Sequence, residues 1–288
     1  MPARPRVAIV GVGLIGGSIG LALRQRGLAE EVVGVGRRTS SLEKAAEFGT
    51  IDRGTTNLAE GVAGADLAIV ATPVAGIVDA VRSVAQAAPR AAITDAGSTK
   101  AEICRALRGP AAGNPDAGAV APGRFVGSHP LAGDHRTGPE HARGDLFEGR
   151  TVVITPQDDT PPGLVERFQE FWQSLGAEVA LLSPEEHDRA LAATSHLPHL
   201  VAAALAAATP EEWLRLTGTG WADATRIAAG DPQLWTQIFG QNRVGVIDAL
   251  RRFEHRLQAL EEAIVSVDDA ALLSGLQEAR RIRDALGD

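Results

Sequence analysis

His129 and Ser98 carry the side chains most suited to chemistry. Each follows a short apolar run: His129 in GSHPLAG at 127–133, Ser98 in DAGSTK at 95–100. An imidazole of near-neutral pKa is a natural acceptor for the proton of an alcohol that is losing hydride. Ser98 is either a hydrogen-bond donor at the carboxyl edge of a sheet, on the side where a nicotinamide would lie, or simply the N-cap of the helix after it. Further along come Ser195, His196 and His199 in SHLPH, Arg226 in ADATR and Trp235 in DPQLW. A guanidinium suits a bidentate grip on a carboxylate; the plainer role for Arg226 is an ion pair with Asp223 or Asp231, and for Trp235 a place in a core. His135 follows His129 closely enough to join the same pocket. His196 and His199 share a helix face and in principle bind a metal, but no cysteine or acidic side chain stands at a spacing that would complete the shell, so no metal is expected.

A carbon that loses hydride needs an acceptor, and the N-terminal segment reads as its site. GVGLIG at 11–16 follows an apolar strand-like run and opens a helix, which is the context a dinucleotide fingerprint requires. Gly11 permits the tight turn, Gly13 lets a pyrophosphate approach the backbone, and Gly16 lets helix and strand pack. Leu14 and Ile15 begin the helix whose N-terminus faces the phosphates. An NAD site ordinarily ends its second strand in Asp or Glu, which holds the ribose 2′-hydroxyl. Here that place reads VGRRTS at 35–40, so Arg37, Arg38 and Thr39 meet a 2′-phosphate instead. NADP is therefore the preferred cofactor and NAD the other one the site can take; the plainer reading of Arg37 and Arg38 is solvated surface charge. Thr72 and Pro73, in ATPV, border the nicotinamide side.

The elements that position these residues fall into two groups. Apolar runs at 6–10, 32–35, 67–71, 91–94, 124–126, 151–155 and 178–182 read as strands, with helices at 14–26 and 163–174. This predicts a Rossmann-like α/β domain over residues 1–182, its parallel sheet covered on both faces. The stretch GPAAGNPDAGAVAPG at 109–123 reads as an exposed loop. Over 183–288 the pattern is helical only, with helices at 187–208, 210–216, 223–229, 232–239, 241–265 and 268–286. In the fifth of these Val244, Ile247, Leu250, Phe253, Leu257, Leu260 and Ile264 form one apolar stripe, which either packs inside a helical bundle or makes a seam between two copies.

Composition narrows the chemistry. The 288 residues are 44% hydrophobic and 22% charged, an ordinary globular balance. There is no tyrosine, and the lysines are Lys44 and Lys100 alone, which excludes Tyr/Lys dehydrogenase chemistry and any catalytic lysine in the helical half. The single Cys104 cannot form an internal disulfide. Apolar stretches are read as stopping short of the ~20 residues that cross a bilayer, and MPARPRVAIV carries no signal-peptide core. A cytoplasmic protein with a small-molecule substrate and no membrane partner is expected. A net charge of −8 without a basic stripe argues against a nucleic-acid partner.

Taken together, the fingerprint at 11–16, DAGSTK at 95–100, GSHPLAG at 127–133, HDRALAATSHLPH at 187–199, ADATRIA at 222–228 and DPQLW followed by Asn242 resemble the prephenate/arogenate dehydrogenase family. The resemblance implies oxidation of the prephenate cyclohexadienol by a nicotinamide cofactor, with loss of the ring carboxylate as carbon dioxide. The product would be 4-hydroxyphenylpyruvate, a precursor of tyrosine. It further implies His129 as base at the ring hydroxyl, Ser98 sharing that hydroxyl, Arg226 on a substrate carboxylate and His199 near the substrate side chain. The fold it implies is a Rossmann-like domain followed by an all-α domain that forms a homodimer. Arogenate is the alternative substrate, and His199 favours prephenate, since arogenate-preferring relatives can lack it. A non-catalytic NADP-sensing module is the more distant alternative.

Overall fold

Successive side chains of β1 (Arg6–Val10) point to opposite faces of a sheet, and both faces are buried: Val7 and Ile9 enter one core, Ala8 and Val10 another. The structure is a computed structural model, which describes residues 4–108, 120, 123–133 and 136–287. After β1 come α1 (Leu14–Gln25), β2 (Glu31–Val35), α2 (Thr39–Glu47), β3 (Arg53–Thr55), α3 (Leu58–Val62), β4 (Leu67–Val70), α4 (Ile77–Ala87) and β5 (Ala92–Asp95). The five strands are parallel in the order β3-β2-β1-β4-β5. The chain direction across the sheet reverses between β1 and β4, which opens a crevice at the carboxyl ends of those strands. Strand β3 was not expected: its three residues, Arg-Gly-Thr, have no apolar pattern, and backbone pairing with β2 alone defines it.

Beyond α5 (Ala101–Arg108) the parallel pattern stops. A second sheet contains β6 (Gly127–Pro130), β7 (Thr151–Thr155) and β8 (Glu178–Leu181), with α6 (Pro162–Ser174) before β8. Strand β6 runs antiparallel to β7, and β8 parallel to it. Val152 and Ile154 of β7, with Phe147 and Trp172, share the core that holds Val7 and Ile9. The strand expected at 124–126 is displaced. Phe125 makes a single bridge to Ile93 of β5, and the ladder with β7 holds Gly127–Pro130 instead. His129 consequently lies inside a strand rather than beyond its end. The expected loop at 109–123 lies outside the described residues except for Val120 and Gly123.

The helical part begins at a capping box, Ser183 with Glu186, that opens α7 (Pro184–Leu191). The single helix expected at 187–208 is two, α7 and α8 (Leu197–Ala208), joined by a π-helical turn over Ala192–His196. Pro198 has no N–H to offer the preceding turn, so the regular i→i+4 ladder cannot pass through it. The whole run Pro184–Ala208 is 25 residues, and by length and composition alone it is apolar enough to span a bilayer, contrary to expectation. Here its His187 and Asp188 are bonded to the nucleotide domain instead.

There follow α9 (Thr219–Thr225), α10 (Pro232–Gln241), α11 (Arg243–Val265) and α12 (Asp269–Asp284), with 3₁₀ turns at Glu211–Leu216 and Arg226–Ala229. Helix α11 buries Val246, Ala249 and Ala263. Of the apolar stripe, Val244, Ile247, Leu257 and Ile264 stay exposed, as do Leu273, Leu276 and Ile282 of α12. The stripe is therefore not consumed by packing within one chain.

Candidate active site

The turn after β1 is shaped for a close ligand. Gly11 has φ +100, and a Cβ there would lie 2.5 Å from Ala71 O, so only glycine fits. A Cβ at Gly16 would collide with Gly11 O, which is why α1 can start so near the strand. At Gly13 a Cβ would meet nothing within 4 Å; the space in front of it, at the N-terminus of α1, is open. Leu14 and Ile15 are half-buried as the helix begins. Across the crevice the Thr72 hydroxyl is buried without a hydrogen-bond partner, beside Pro73, which precedes the turn Val74–Gly76. An open backbone cradle at the start of α1, with the unpartnered Thr72 hydroxyl in the neighbouring loop after β4, fits a dinucleotide. Arg37, Arg38 and Thr39 stand exposed where β2 leads into α2.

His129 sits at the carboxyl end of β5, placed there by Ser128. The Ser128 hydroxyl donates to Asp95 O (2.6 Å) and accepts from the buried indole N–H of Trp172 (3.1 Å). From the helical domain His187 reaches in: its Nε2 is 2.9 Å from His129 Nδ1, and its Nδ1 is 2.8 Å from Asp188 Oδ1. The Asp188 carboxylate also accepts the backbone N–H groups of Lys100 (2.8 Å) and Ala101 (2.9 Å), and so caps α5. These donors fix the tautomers. A carboxylate can only accept, so His187 carries its proton on Nδ1 and presents Nε2 as an acceptor. His129 then donates from Nδ1, and its own Nε2 is left as a free lone pair. Burial, reinforced by the neighbouring His187, Lys100 and His196, pushes the His129 imidazole well below its ordinary pKa. The group is a neutral base, oriented by the chain Asp188–His187–His129.

Helix α5 starts at Ala101 and is capped by Asp188, so Ser98 has no capping duty there. It stands half-buried in the loop between β5 and α5.

A second cluster forms on α8 and α10. Asn242 donates to Asp188 O (2.6 Å) and to His196 Nδ1 (3.1 Å), so His196 carries its proton on Nε2. Burial takes the His196 pKa down to about 4. His199 and Trp235 pack edge to face, with His196 on the same indole, and Ser195 is half-buried in the π turn. Trp235 is thus a partly exposed wall rather than a core aromatic. Arg226 is exposed at the start of the turn Arg226–Ala229 and, among the described residues, forms no ion pair with Asp223 or Asp231; the Asp231 side chain caps α10 instead. The fold therefore packs His196 and His199 on Trp235 and brings His196 near His129, while Ser98 stands in the loop after β5. It does not bind Arg226 into that cluster within one chain. His135 lies outside the described residues.

A dinucleotide crevice, a neutral imidazole at its edge and a helical domain that supplies the second wall define a nicotinamide-dependent oxidoreductase. Comparison with known proteins makes this specific. Residues 19–181 match the family described as prephenate dehydrogenase, nucleotide-binding domain, and residues 183–278 the one described as prephenate dehydrogenase, dimerization domain. The chain is 31% identical to the cyclohexadienyl dehydrogenase of Zymomonas mobilis over 97% of its length and 95% of that protein's. It is 30% identical to the prephenate dehydrogenase of Bacillus subtilis, over 97% of this chain and 76% of that one. Among solved structures it is similar to A. aeolicus prephenate dehydrogenase in complex with hydroxyphenyl propionate and NAD+, with a TM-score of 0.89, 32% identity and 99% of both chains covered. The chain belongs to the prephenate dehydrogenase family.

Two participants, His187 and Asp188, had no role assigned from sequence. Their signal was present: an adjacent His-Asp pair in the first turns of a helix, twelve residues ahead of His199 in HDRALAATSHLPH.

Proposed function

We propose that the chain oxidises prephenate with decarboxylation, using His129 as the base at the ring hydroxyl. The observation that carries this reading is the chain Asp188–His187–His129, which leaves His129 Nε2 neutral and unprotonated at the carboxyl end of β5. When bound, the nicotinamide supplies the hydride acceptor. Ser98 shares the hydroxyl and helps to orient it. Proton transfer from the ring hydroxyl to His129, loss of hydride from the carbon that bears it to the nicotinamide, and departure of the ring carboxylate as carbon dioxide together leave an aromatic ring, so the main task of the protein is alignment. His199, Trp235 and His196, with Ser195, line the side-chain end of the substrate, and Arg226 takes a carboxylate. Residues 1–182 hold the cofactor, and residues 183–288 hold substrate and pair two copies.

Support for NADP as preferred cofactor is the pair Arg37 and Arg38, uncompensated by any acid at the end of β2. The solved relative carries NAD+, so NAD is the alternative. Support for a homodimer is the exposed stripe on α11 and α12 together with the family description of this region. Arogenate is the second reading of the substrate, favoured by a 29% identical relative solved as Synechocystis arogenate dehydrogenase.

Steady-state formation of the reduced cofactor from prephenate and from arogenate, with each dinucleotide, tests the reading. Prephenate should give the larger kcat/KM, and His129→Asn should lower kcat by ~10² or more with cofactor affinity unchanged. No turnover of either substrate by folded protein overturns it.

A further inference from the structure

Strand β6 carries His129, yet only one of its edges is zipped into a sheet. On the β7 side a backbone ladder runs from Gly127 to Pro130. On the β5 side the pairing ends at the bridge between Ile93 and Phe125, three residues before Ser128. There two buried side chains stand in for the strand. Asp95 Oδ1 accepts the Ser128 N–H (3.2 Å), and Lys100 Nζ donates to the Ser128 carbonyl (3.0 Å). Lys100 and Asp95 also form a close ion pair, and both are fully buried. Asp95 Oδ2 accepts the Gly97 N–H (2.8 Å) as well, which ties the loop of Ser98 to the same pair. The fit is close enough that a Cβ on Gly127 would lie 3.2 Å from Lys100 Cδ.

Stability is a poor reason to keep this arrangement. Burying an ion pair costs desolvation of both charges, and a well-packed apolar replacement is often no less stable. What the pair does uniquely is hold both backbone groups of the residue before His129.

We propose that Lys100, with Asp95, is a positioning residue for the base: it replaces the missing ladder beside Ser128 and so sets the depth and direction of the His129 imidazole. The proposal rests on His129 acting as the base. Lys100 has a second consequence through its charge. The groups facing His129 are His187 and Asp188 from α7, His196 from the π turn, and Lys100 and Asp95 from the β5 side. Of these, Lys100 opposes protonation of both His129 and His187. Position and charge thus serve one end, an imidazole held still and kept neutral.

Lys100→Met, which keeps the stem and removes the charge, is the first test. Imidazole NMR titration of the full-length protein, with His129 assigned by comparison with His129→Asn, reads the charge effect without any substrate. The expected result is a His129 midpoint raised by about one pH unit, with the acidic limb of kcat/KM moving with it and kcat down by ~10² while cofactor Kd holds. If Lys100→Met does not fold, Lys100→Arg decides. It keeps the charge and misplaces the donor, so the midpoint should stay and kcat should fall by about tenfold. An unmoved midpoint with unchanged kcat in folded Lys100→Met overturns the proposal. So does a loss of kcat matched by an equal loss of cofactor affinity, which marks a merely structural role, or a Lys100→Arg variant of unchanged kcat. Failure of the wild-type protein to turn over prephenate or arogenate strikes the functional reading instead and leaves the NMR result standing on its own.

Discussion

Replacing Asp188 by Asn is the most informative single perturbation, because one carboxylate serves three donors from two parts of the fold. It accepts Lys100 N–H at 2.8 Å, Ala101 N–H at 2.9 Å and His187 Nδ1–H at 2.8 Å, and the residue is buried. Asparagine keeps one acceptor oxygen and turns the other site into a donor. Oδ1 accepts both the Lys100 N–H and the His187 Nδ1–H while Oδ2 accepts the Ala101 N–H, so when the amide oxygen stays on Ala101 the NH₂ takes the Oδ1 place and faces His187 Nδ1, which must then accept. The His187 proton moves to Nε2, His129 Nδ1 becomes the acceptor, and the His129 proton sits on Nε2, where the substrate hydroxyl should find a lone pair. The base is thereby protonated on the wrong nitrogen while every heavy atom stays in place. General-base catalysis is worth ~10² to 10⁴ in rate, so kcat should fall within that range with KM for the cofactor unchanged. Hydrogen bonds to charged groups contribute ~1.5–3 kcal/mol each, and about one is lost outright with the others weakened, so stability should drop by about 2–4 kcal/mol. The assay is kcat at a temperature where urea titration shows the variant folded. A folded Asp188→Asn protein whose imidazole NMR places the His129 proton on Nε2, yet whose kcat is within about threefold of the parent, would refute the tautomer argument.

Three other outcomes are expected. Arg37→Ala with Arg38→Ala should raise KM for NADP+ by about 10- to 100-fold and leave NAD+ within about threefold; equal effects on both remove these residues from a 2′-phosphate site. Ile247→Glu with Leu257→Glu places charge on the exposed stripe, and analytical ultracentrifugation should then show a monomer where the parent is a dimer; an unchanged sedimentation coefficient rejects the seam. Acid should destabilise the fold early. Burial holds the pKa values of His129, His187 and His196 below their ordinary range, that of His196 at about 4. The unfolded chain therefore binds protons first, stability is full above pH ~6.5, and it falls as pH drops toward 4, by up to about 3 kcal/mol from His196 alone. Urea midpoints that stay flat between pH 7.5 and 4.5 would contradict this.

Much of the molecule is legible along the chain because the relevant physics is local. Gly11, Gly13 and Gly16 are read from spacing, since a strand, a tight turn and a helix N-terminus within one short segment leave little freedom. The same holds for β1, β2, β4 and β7, whose apolar runs can only be buried. The errors are where neighbours in space decide. Residues 124–126 are as apolar as a strand should be, yet the ladder with β7 places β6 at 127–130. The helix expected at 187–208 breaks at a π turn because Pro198 lacks a donor. The stripe of α11 is ambiguous between bundle and seam along the chain, and only the fold shows that Val244, Ile247, Leu257 and Ile264 stay exposed in the single chain.

By itself the sequence determined the dinucleotide turn and the two-part α/β-then-helical plan, and it ruled out a tyrosine, or a lysine of the helical half, as base. Only the tertiary structure decided what surrounds the His129 imidazole. Asp188 is 59 residues from His129 along the chain, and Asp95 and Lys100 lie on another loop again, so no local pattern could pair them. Their assignment follows from hydrogen-bond valence. A buried carboxylate must be fully donated to, a buried ammonium must find acceptors, and once each has taken the partners within reach, the proton on His129 has one place left to be.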